Sequence, residues 1–367
     1  MLFDLQPKTS RRDLYDFDKE LKELIKSIEL NPLTVVVGIR RSGKTSLLRV
    51  ALNECGYPYI YIDPRFYSAP TYRDFAYILR NSIEDFLRRY GGVYRRVVEF
   101  LKNVRGISID LPTLSVEVNW RRSERVEIGE LLIALDNLAK DLKKPIVIAI
   151  DEAQELSKIT WMPITRLFAY AYDNLRNLRI VLTGSEIGVL FRFLGIEDPS
   201  SPLYGRYIHV VKTRRLSREE SIDFLEKGFS ELGTNIPRNI IERAVEELDG
   251  IIGWLTLFGY TCYLDPGTCI ENIEKILEQA IKIGKEELEK LLSASRSTRY
   301  RTLLKILAAE RRWSEIKRLL EIEEGRTIND RTLYEHLKRL IDLSIVEKKN
   351  DSYIISDPIL RKAAQLL

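Results

Sequence analysis

The sequence is poor in the residues that most often bind metals or form cross-links. Its three cysteines, Cys55, Cys262 and Cys269, show no metal-ligand spacing, and an odd number suits no disulfide framework, so we expect them to be reduced. The only two histidines are His209 and His336. This scarcity excludes a multi-histidine metal site and disfavours acid–base chemistry that depends on histidine.

Long apolar runs are also missing. No run approaches the roughly 20 apolar residues of a membrane-spanning helix, and residues 1–7 lack the basic and apolar regions of a secretory signal. We therefore expect a protein without a membrane span that stays in the cytoplasm. With 45% hydrophobic and 31% charged residues over 367 positions, the chain has enough apolar material for two or three folded domains.

Residues 38–45 form a complete G-x-x-x-x-G-K-[ST] phosphate-binding motif. A β-branched apolar run at 33–37 precedes it and a helical pattern at 46–52 follows it, which is the context that the motif requires. Backbone N–H groups and the helix dipole favour phosphate there, so we expect Lys44 to bind the β- and γ-phosphates of ATP and Thr45 to bind Mg²⁺. The predicted nucleotide-binding residues of this loop are Gly38, Ile39, Arg40, Arg41, Ser42, Gly43, Lys44, Thr45 and Ser46.

A second apolar run, at 145–150, ends in Asp151 and Glu152. Ligands of open α/β sheets bind at the carboxyl ends of the strands, so this run predicts a Walker B strand whose Asp151 binds Mg²⁺. A carboxylate directly after the metal-binding acid can polarise the attacking water. We therefore predict that Glu152 is a catalytic residue and that the protein is an ATPase.

Two further apolar runs, at 57–63 and 178–185, predict the remaining strands of a parallel sheet. We expect the later strand to lie between the two motif-bearing strands, as in the additional-strand class of P-loop NTPases. Thr183 and Ser185 at its tip are then candidate sensors of the γ-phosphate. The alternative, that they are ordinary residues of a turn, stays open. No N-K-x-D segment is present, which favours ATP over GTP.

The segments 38–45, 151–154, 183–185 and 202–206 together resemble the archaeal ATPase family, which belongs to the signal-transducing branch of the AAA-like NTPases. The resemblance extends over nearly the whole chain. It implies an α/β P-loop NTPase fold with a parallel sheet, a helical lid and a C-terminal winged helix, with ATP or ADP and Mg²⁺ as ligands.

The resemblance also implies that Arg206, just past the sensor strand, approaches the triphosphate as a catalytic arginine. The alternative is a loop arginine that pairs with a surface carboxylate. Two segments depart from the family pattern. Residues 16–21 lack the arginine that often lies beside adenine, so we expect backbone and apolar groups to contact the base. In the lid segment 249–254, Ile252 replaces a proline, which predicts looser coupling between lid and nucleotide.

We place the ATPase domain at residues 1–213, the lid at 214–293 and the winged helix at 294–367. Apolar alternation predicts a β-hairpin inserted at about 104–125. The hairpin's basic residues suggest contact with nucleic acid or protein, with a solvated end as the alternative. These residues are Arg121, Arg122 and Arg125.

From residue 296 onward, 16 Lys and Arg face 11 Asp and Glu, so excess positive charge lies in the predicted winged helix. In a DNA-binding winged helix, the third helix enters the major groove and the wing contacts phosphate. The residues so placed are Arg331, Tyr334, Glu335 and Lys338 on the helix and Lys348 and Lys349 on the wing. The alternative is a winged helix that packs against the ATPase domain and regulates it.

We therefore predict an Mg²⁺-dependent, slow ATPase that acts as a regulatory switch, coupling nucleotide state to the positions of the lid and the winged helix. The alternative function is a nucleic-acid-binding regulator in which the nucleotide is mainly structural. DNA and protein are both candidate partners of the winged helix. The sequence predicts no oligomeric state.

Overall fold

The computed structural model describes residues 1–66, 71–90, 104–110, 115–118, 127–271, 273–295 and 297–367. Its strands are β1 (Leu33–Val37), β2 (Tyr59–Ile62), β3 (Ile107–Asp110), β4 (Ser115–Val118), β5 (Ile146–Ile150), β6 (Leu178–Gly184), β7 (His209–Lys212), β8 (Arg311–Arg312), β9 (Val346–Lys349) and β10 (Ser352–Ile355). The helices of the N-terminal half are α1 (Asp18–Leu30), α2 (Lys44–Glu54), α3 (Tyr72–Arg89), α4 (Ile128–Leu142), α5 (Ile164–Asn174) and α6 (Ile187–Leu194). Those that follow are α7 (Arg218–Glu231), α8 (Arg238–Leu248), α9 (Ile252–Leu264), α10 (Pro266–Glu271), α11 (Ile273–Ala294), α12 (Arg299–Ile306), α13 (Trp313–Glu324), α14 (Asp330–Asp342) and α15 (Pro358–Gln365).

A five-stranded parallel sheet with the order β2-β5-β6-β1-β7 forms the centre of the α/β domain. Strand β6 lies between β1, which precedes the phosphate-binding motif, and β5, which precedes Asp151. The predicted additional-strand arrangement is therefore confirmed. Strand β7 was not predicted. It is a short edge strand that pairs only with β1 among the described strands.

Helices cover both faces of this sheet. Side chains alternate in direction along each strand, so the apolar residues of one strand contribute to two clusters, one on each face. Val35 and Leu182 pack into one apolar cluster, and Val36 and Val181 pack into a second. Every residue of β1 and β5 is buried, as expected for central strands of a parallel sheet. The second cluster continues into helices α7 to α11, so the sheet and the lid share one core.

Cys262 and Cys269 form a disulfide, so the prediction of three reduced cysteines is wrong. Helix α9 ends at Leu264 and α10 begins at Pro266, and this sharp turn brings the two Cα atoms to 5.1 Å from each other. That separation lies in the usual range for a disulfide. Spacing along the sequence did not reveal the pair because the turn between the helices creates it. Cys55 is free.

The C-terminal region is a winged helix, as predicted. Helices α12, α13 and α14 pack with a three-stranded sheet of order β8-β10-β9 around a core that includes Leu303, Leu320, Leu337 and Ile355. The short strand β8 and the final helix α15 were not predicted. Helix α15 packs against α11, and a side chain at Gly284 would come within 3.2 Å of Leu360.

Helix α11 connects the lid core to the winged-helix core. Ile276 and Ala280 belong to the cluster of the lid, whereas Leu288 belongs to the cluster of the winged helix. One helix of 22 residues thus contributes to both cores. The domain boundaries given above remain predictions.

Strands β3 and β4 pair antiparallel within the predicted hairpin insertion. Arg121, Arg122 and Arg125 lie outside the described residues, so their proposed contact with a partner stays a prediction. Among the described residues, no helix combines the length and the apolar character that crossing a bilayer requires.

Candidate nucleotide-binding site

The phosphate-binding motif forms the turn between β1 and α2, at the carboxyl edge of the sheet. Gly43 adopts a left-handed conformation with φ of 86°, which a glycine accommodates without a Cβ clash. Helix α2 begins at the next residue, Lys44, which is only 4% exposed and whose Nζ donates to the carbonyl oxygen of Ile39 at 2.8 Å. Burial lowers the pKa of Lys44 below its ordinary value, although Glu152 and Asp151 act in the opposite direction. A buried ammonium at this place is suited to a phosphate anion.

Asp151 lies at the carboxyl end of β5 and is completely buried. The Thr45 hydroxyl donates to its Oδ2 at 3.0 Å, the Tyr61 hydroxyl donates to the same oxygen at 2.8 Å, and the Thr183 hydroxyl donates to Oδ1. The guanidinium of Arg65 lies 3.3 Å from Oδ2. These contacts hold the carboxylate next to the start of α2 and bring Asp151 and Thr45 together.

The Thr45 hydroxyl and the Asp151 carboxylate together fit a hard divalent cation. Mg²⁺ binds carboxylate and hydroxyl oxygens and takes its other ligands from water and phosphates, so one or two protein oxygens are enough. Among the described residues, no group of three or more His, Cys, Asp or Glu side chains forms a cage for a metal ion. The donor set therefore matches an ion that arrives with a nucleotide. Thr45 and Asp151 remain the predicted ligands.

Glu152 adopts a left-handed conformation, with φ of 48°, which costs a residue with a side chain about 1–2 kcal/mol. This conformation turns its carboxylate back toward β6. Its Oε2 accepts hydrogen bonds from Gln154 Nε2 at 2.6 Å, from Ser185 Oγ at 2.7 Å and from the Ser185 backbone N–H at 3.0 Å. Burial acts to raise the pKa of Glu152, but Lys44 and these donors outweigh it, so the pKa lies below its ordinary value. The carboxylate is therefore ionised at neutral pH.

The two candidate sensors lie at the tip of β6, as predicted. Thr183 contacts Asp151 and accepts the backbone N–H of Glu152 at 2.9 Å, and Ser185 contacts Glu152. Each hydroxyl thus holds one acidic side chain of the site. Their proposed contact with a γ-phosphate stays a prediction.

Two family models match this chain. The model of an ATPase domain found predominantly in Archaea matches residues 14–258. The chain belongs to this family. A model of the C-terminal winged helix-turn-helix domain of MCM proteins matches residues 294–356. Among curated proteins, the comparison found no match.

Two solved structures are similar to this chain over its full length. The Walker-type ATPase PABY2304 of Pyrococcus abyssi is 36% identical, with 100% of each chain covered and a TM-score of 0.80. The ADP form of ORC2 from Aeropyrum pernix is 13% identical, with 100% of this chain and 97% of that chain covered and a TM-score of 0.53. The second likeness shows the fold alone.

Arg206 does not join the other site residues in this structure. Its guanidinium pairs with Asp173, with Nε 3.0 Å from Oδ1, and its Nη1 donates to the carbonyl oxygen of Pro202. This arrangement matches the alternative interpretation of a loop arginine paired with a surface carboxylate. A role for Arg206 at a triphosphate stays a prediction.

The two arginines of the phosphate-binding motif are held by acidic side chains from other elements. Arg40 lies 2.8 Å from Glu186 and 2.6 Å from Glu287, and Arg41 lies 2.7 Å from the other oxygen of Glu287. Burial acts to raise the pKa of Glu287, but the charges of Arg41 and Arg40 outweigh it, and the pKa lies below its ordinary value. An ionised carboxylate on α11 therefore bridges both arginines of the phosphate-binding motif.

A second set of contacts links the same loop to the winged helix. The Gly253 backbone N–H donates to the Arg41 carbonyl oxygen at 2.9 Å, and the Arg41 guanidinium lies 4.0 Å from the centre of the Trp254 ring. Trp254 Nε1 donates to Asp357 Oδ2 at 2.8 Å. Asp357 caps α15 of the winged helix. The lid segment with Ile252 thus contacts the motif directly; the looser coupling predicted for it stays untested.

A cavity of about 370 Å³ opens beside Gly43, Lys44 and Thr45. The N-terminal segment forms much of its wall, and the Ser46 hydroxyl accepts the backbone N–H of Lys8 at 3.0 Å. The apolar and aromatic residues that line it include Leu5, Pro7, Leu14, Tyr15, Phe17 and Trp254. This lining is compatible with the expected contact of adenine with apolar and backbone groups.

Several residues of the site were missed by sequence reasoning. Tyr61 and Arg65 reach Asp151 from β2 and the turn after it, and Gln154 reaches Glu152. Gln154 gave a usable signal, because a polar residue two positions after Glu152 is placed close to the site. Glu287 and Asp357 gave none, since they come from elements far away in the sequence.

Proposed function

We propose that the protein binds ATP with Mg²⁺, hydrolyses it slowly and couples its nucleotide state to the positions of the lid and the winged helix. The observation that carries the coupling is the Glu287 carboxylate, which joins the phosphate-binding loop to the helix shared by the lid and winged-helix cores. Membership of an archaeal ATPase family supports the ATPase part of the proposal.

The proposed hydrolysis uses the groups already in place. Lys44 offsets negative charge on the phosphates, and Thr45 and Asp151 would hold Mg²⁺, which when bound offsets charge on the β- and γ-phosphates. The Oε1 atom of Glu152 accepts no hydrogen bond from the described residues, whereas Oε2 accepts three. We infer that Oε1 accepts the proton of the attacking water.

The proposed coupling starts from competition between two anions. Phosphates bound at the loop and the carboxylate of Glu287 would both attract the guanidinium groups of Arg40 and Arg41. Binding of ATP therefore weakens the attachment of α11 to the loop. Helix α11 packs against α15, and Asp357, which caps α15, contacts Trp254. A weaker attachment of α11 to the loop therefore changes the position of the winged helix.

Glu287→Gln tests the coupling. Removing the charge weakens the hold on both arginines, so we expect ATP to bind about fivefold more tightly or better, as for a coupling of 1–3 kcal/mol. We also expect the change in hydrogen exchange of α15 on addition of ATP to shrink. The measurements are calorimetric titration with ATP and hydrogen-exchange mass spectrometry.

Glu286→Gln is the matched control, because this neighbour on α11 is exposed. It should leave both measurements unchanged. Equal ATP affinity and equal exchange of α15 in Glu287→Gln and wild type would contradict the coupling.

A nucleic-acid-binding regulator is the second candidate function, because one face of α14 is free of the ATPase domain. The side chain of Arg331 is 86% exposed and Tyr334 and Lys338 are exposed, whereas the end of the helix is docked through an ion pair of Asp342 with Arg192 at 2.8 Å. The exposed face has the basic and aromatic character of a DNA-reading helix.

Fluorescence anisotropy with a duplex DNA tests this second candidate. If it holds, affinity should fall at least about tenfold between 50 and 200 mM salt, because binding releases counterions from the phosphates. The double substitution Arg331→Glu and Lys338→Glu should weaken DNA binding by a similar factor. The control substitution Arg318→Glu on α13 should leave DNA binding unchanged. A DNA affinity that changes neither with salt nor with the charge reversal would rule out DNA binding by this face of α14.

A further inference from the structure

Three donors converge on a single oxygen of Glu152. Gln154 Nε2, Ser185 Oγ and the Ser185 backbone N–H all lie within 3.0 Å of Oε2. A carboxylate oxygen offers about two lone-pair sites, so this one is fully occupied. The rotation of the carboxylate is thereby restricted, and Oε1 is left as the oxygen open to water.

The amide of Gln154 contributes to this arrangement at a cost to the fold. The ionised Glu152 carboxylate can only accept hydrogen bonds, so the NH₂ group of the Gln154 amide, and not its oxygen, must face it. The amide oxygen Oε1 is then buried without a hydrogen-bond partner among the described residues, in a side chain that is 4% exposed. A buried, unpaired acceptor is destabilising, and an apolar side chain of the same size avoids it.

The neighbouring strand accommodates this amide. A methyl group at Gly184 on β6 would lie 2.9 Å from Gln154 Oε1 and 2.6 Å from Leu190 Cδ2. Only glycine at position 184 leaves room for both side chains as they stand. The amide is thus fitted closely between β6 and Glu152.

We propose that Gln154 is a positioning residue for ATP hydrolysis, which fixes the Glu152 carboxylate so that Oε1 points to the attacking water. This inference rests on the proposed hydrolysis. A side chain kept only for packing would not need an amide here. Gln154 therefore acts through Glu152 and has no contact with phosphate of its own.

Gln154→Met tests the proposal, since methionine has nearly the same length and cannot donate to a carboxylate. We expect kcat for ATP to fall about tenfold or more, because a misoriented base loses part of the 10²–10⁴-fold effect of general base catalysis. The Kd for ATP should stay within about twofold of the wild-type value. The melting temperature should change little, because loss of the hydrogen bond to Glu152 and removal of the unpaired acceptor act in opposite directions. Gln365→Met, at an exposed site on α15, is the matched control.

A double-mutant cycle with Glu152→Gln shows whether the effect passes through Glu152. If it does, Gln154→Met should lower the single-turnover rate of the Glu152→Gln protein by less than about twofold. An equal loss in both backgrounds, an unchanged kcat, or a loss of kcat together with a lower melting temperature would overturn the inference. Wild-type protein without ATP turnover would instead refute the proposed hydrolysis.

Discussion

Lys44→Ala should greatly weaken the binding of ATP. The ammonium of Lys44 is buried at the start of α2 and is the group expected to lie against the β- and γ-phosphates. Removing one partner of a buried charge pair costs about 2–5 kcal/mol, which corresponds to roughly 30- to several-thousandfold in Kd. Calorimetric titration with ATP and Mg²⁺ measures the loss.

Lys140→Ala serves as the control for this substitution, because Lys140 is an exposed lysine of α4. It should bind ATP like the wild type. Retained affinity in a folded Lys44→Ala protein would contradict the assignment of the phosphate site. Circular dichroism establishes that the protein is folded, since the substitution also removes the hydrogen bond to Ile39.

Glu152→Gln should separate ATP binding from hydrolysis. The amide keeps the size of the side chain but is a far weaker proton acceptor, so we expect turnover to fall about 10²–10⁴-fold. ATP affinity should change little, because Glu152 is expected to contact water rather than phosphate. Steady-state phosphate release and a parallel binding titration give the two quantities.

Glu155→Gln is a suitable comparison, because Glu155 lies close by in the sequence and pairs with Lys158 instead of the site. It should hydrolyse ATP at about the wild-type rate. Undiminished turnover in Glu152→Gln would show that another group activates the water.

The nucleotide-binding half of the fold was largely predictable because its signals are local. Continuous apolar runs indicated β1, β5 and β6, and the motifs at their ends placed them in the sheet order that the structure confirms. Strand β7 was not predicted because only Val210 and Val211 of its four residues are apolar, so no apolar run marks it. The order of the edge strands depends on packing against distant helices, which no local pattern records.

The contacts that unite the site with the rest of the protein were not predictable. Arg40 and Glu287 are 247 positions apart and meet only because α11 passes over the phosphate-binding loop. The disulfide between Cys262 and Cys269 depends in the same way on a turn between two helices. Local motifs therefore indicated which residues lie at the site, and tertiary packing alone revealed the distant residues that hold and connect it.

Release of phosphate from ATP by the wild-type protein tests the central claim most directly. Turnover should be slow, should require Mg²⁺ and should cease when EDTA removes it, because the Thr45 and Asp151 oxygens are matched to that ion. Lys44→Ala and Glu152→Gln proteins assayed in parallel should both be inactive. Phosphate release that is equal with and without Mg²⁺, or equal in all three proteins, would contradict the account.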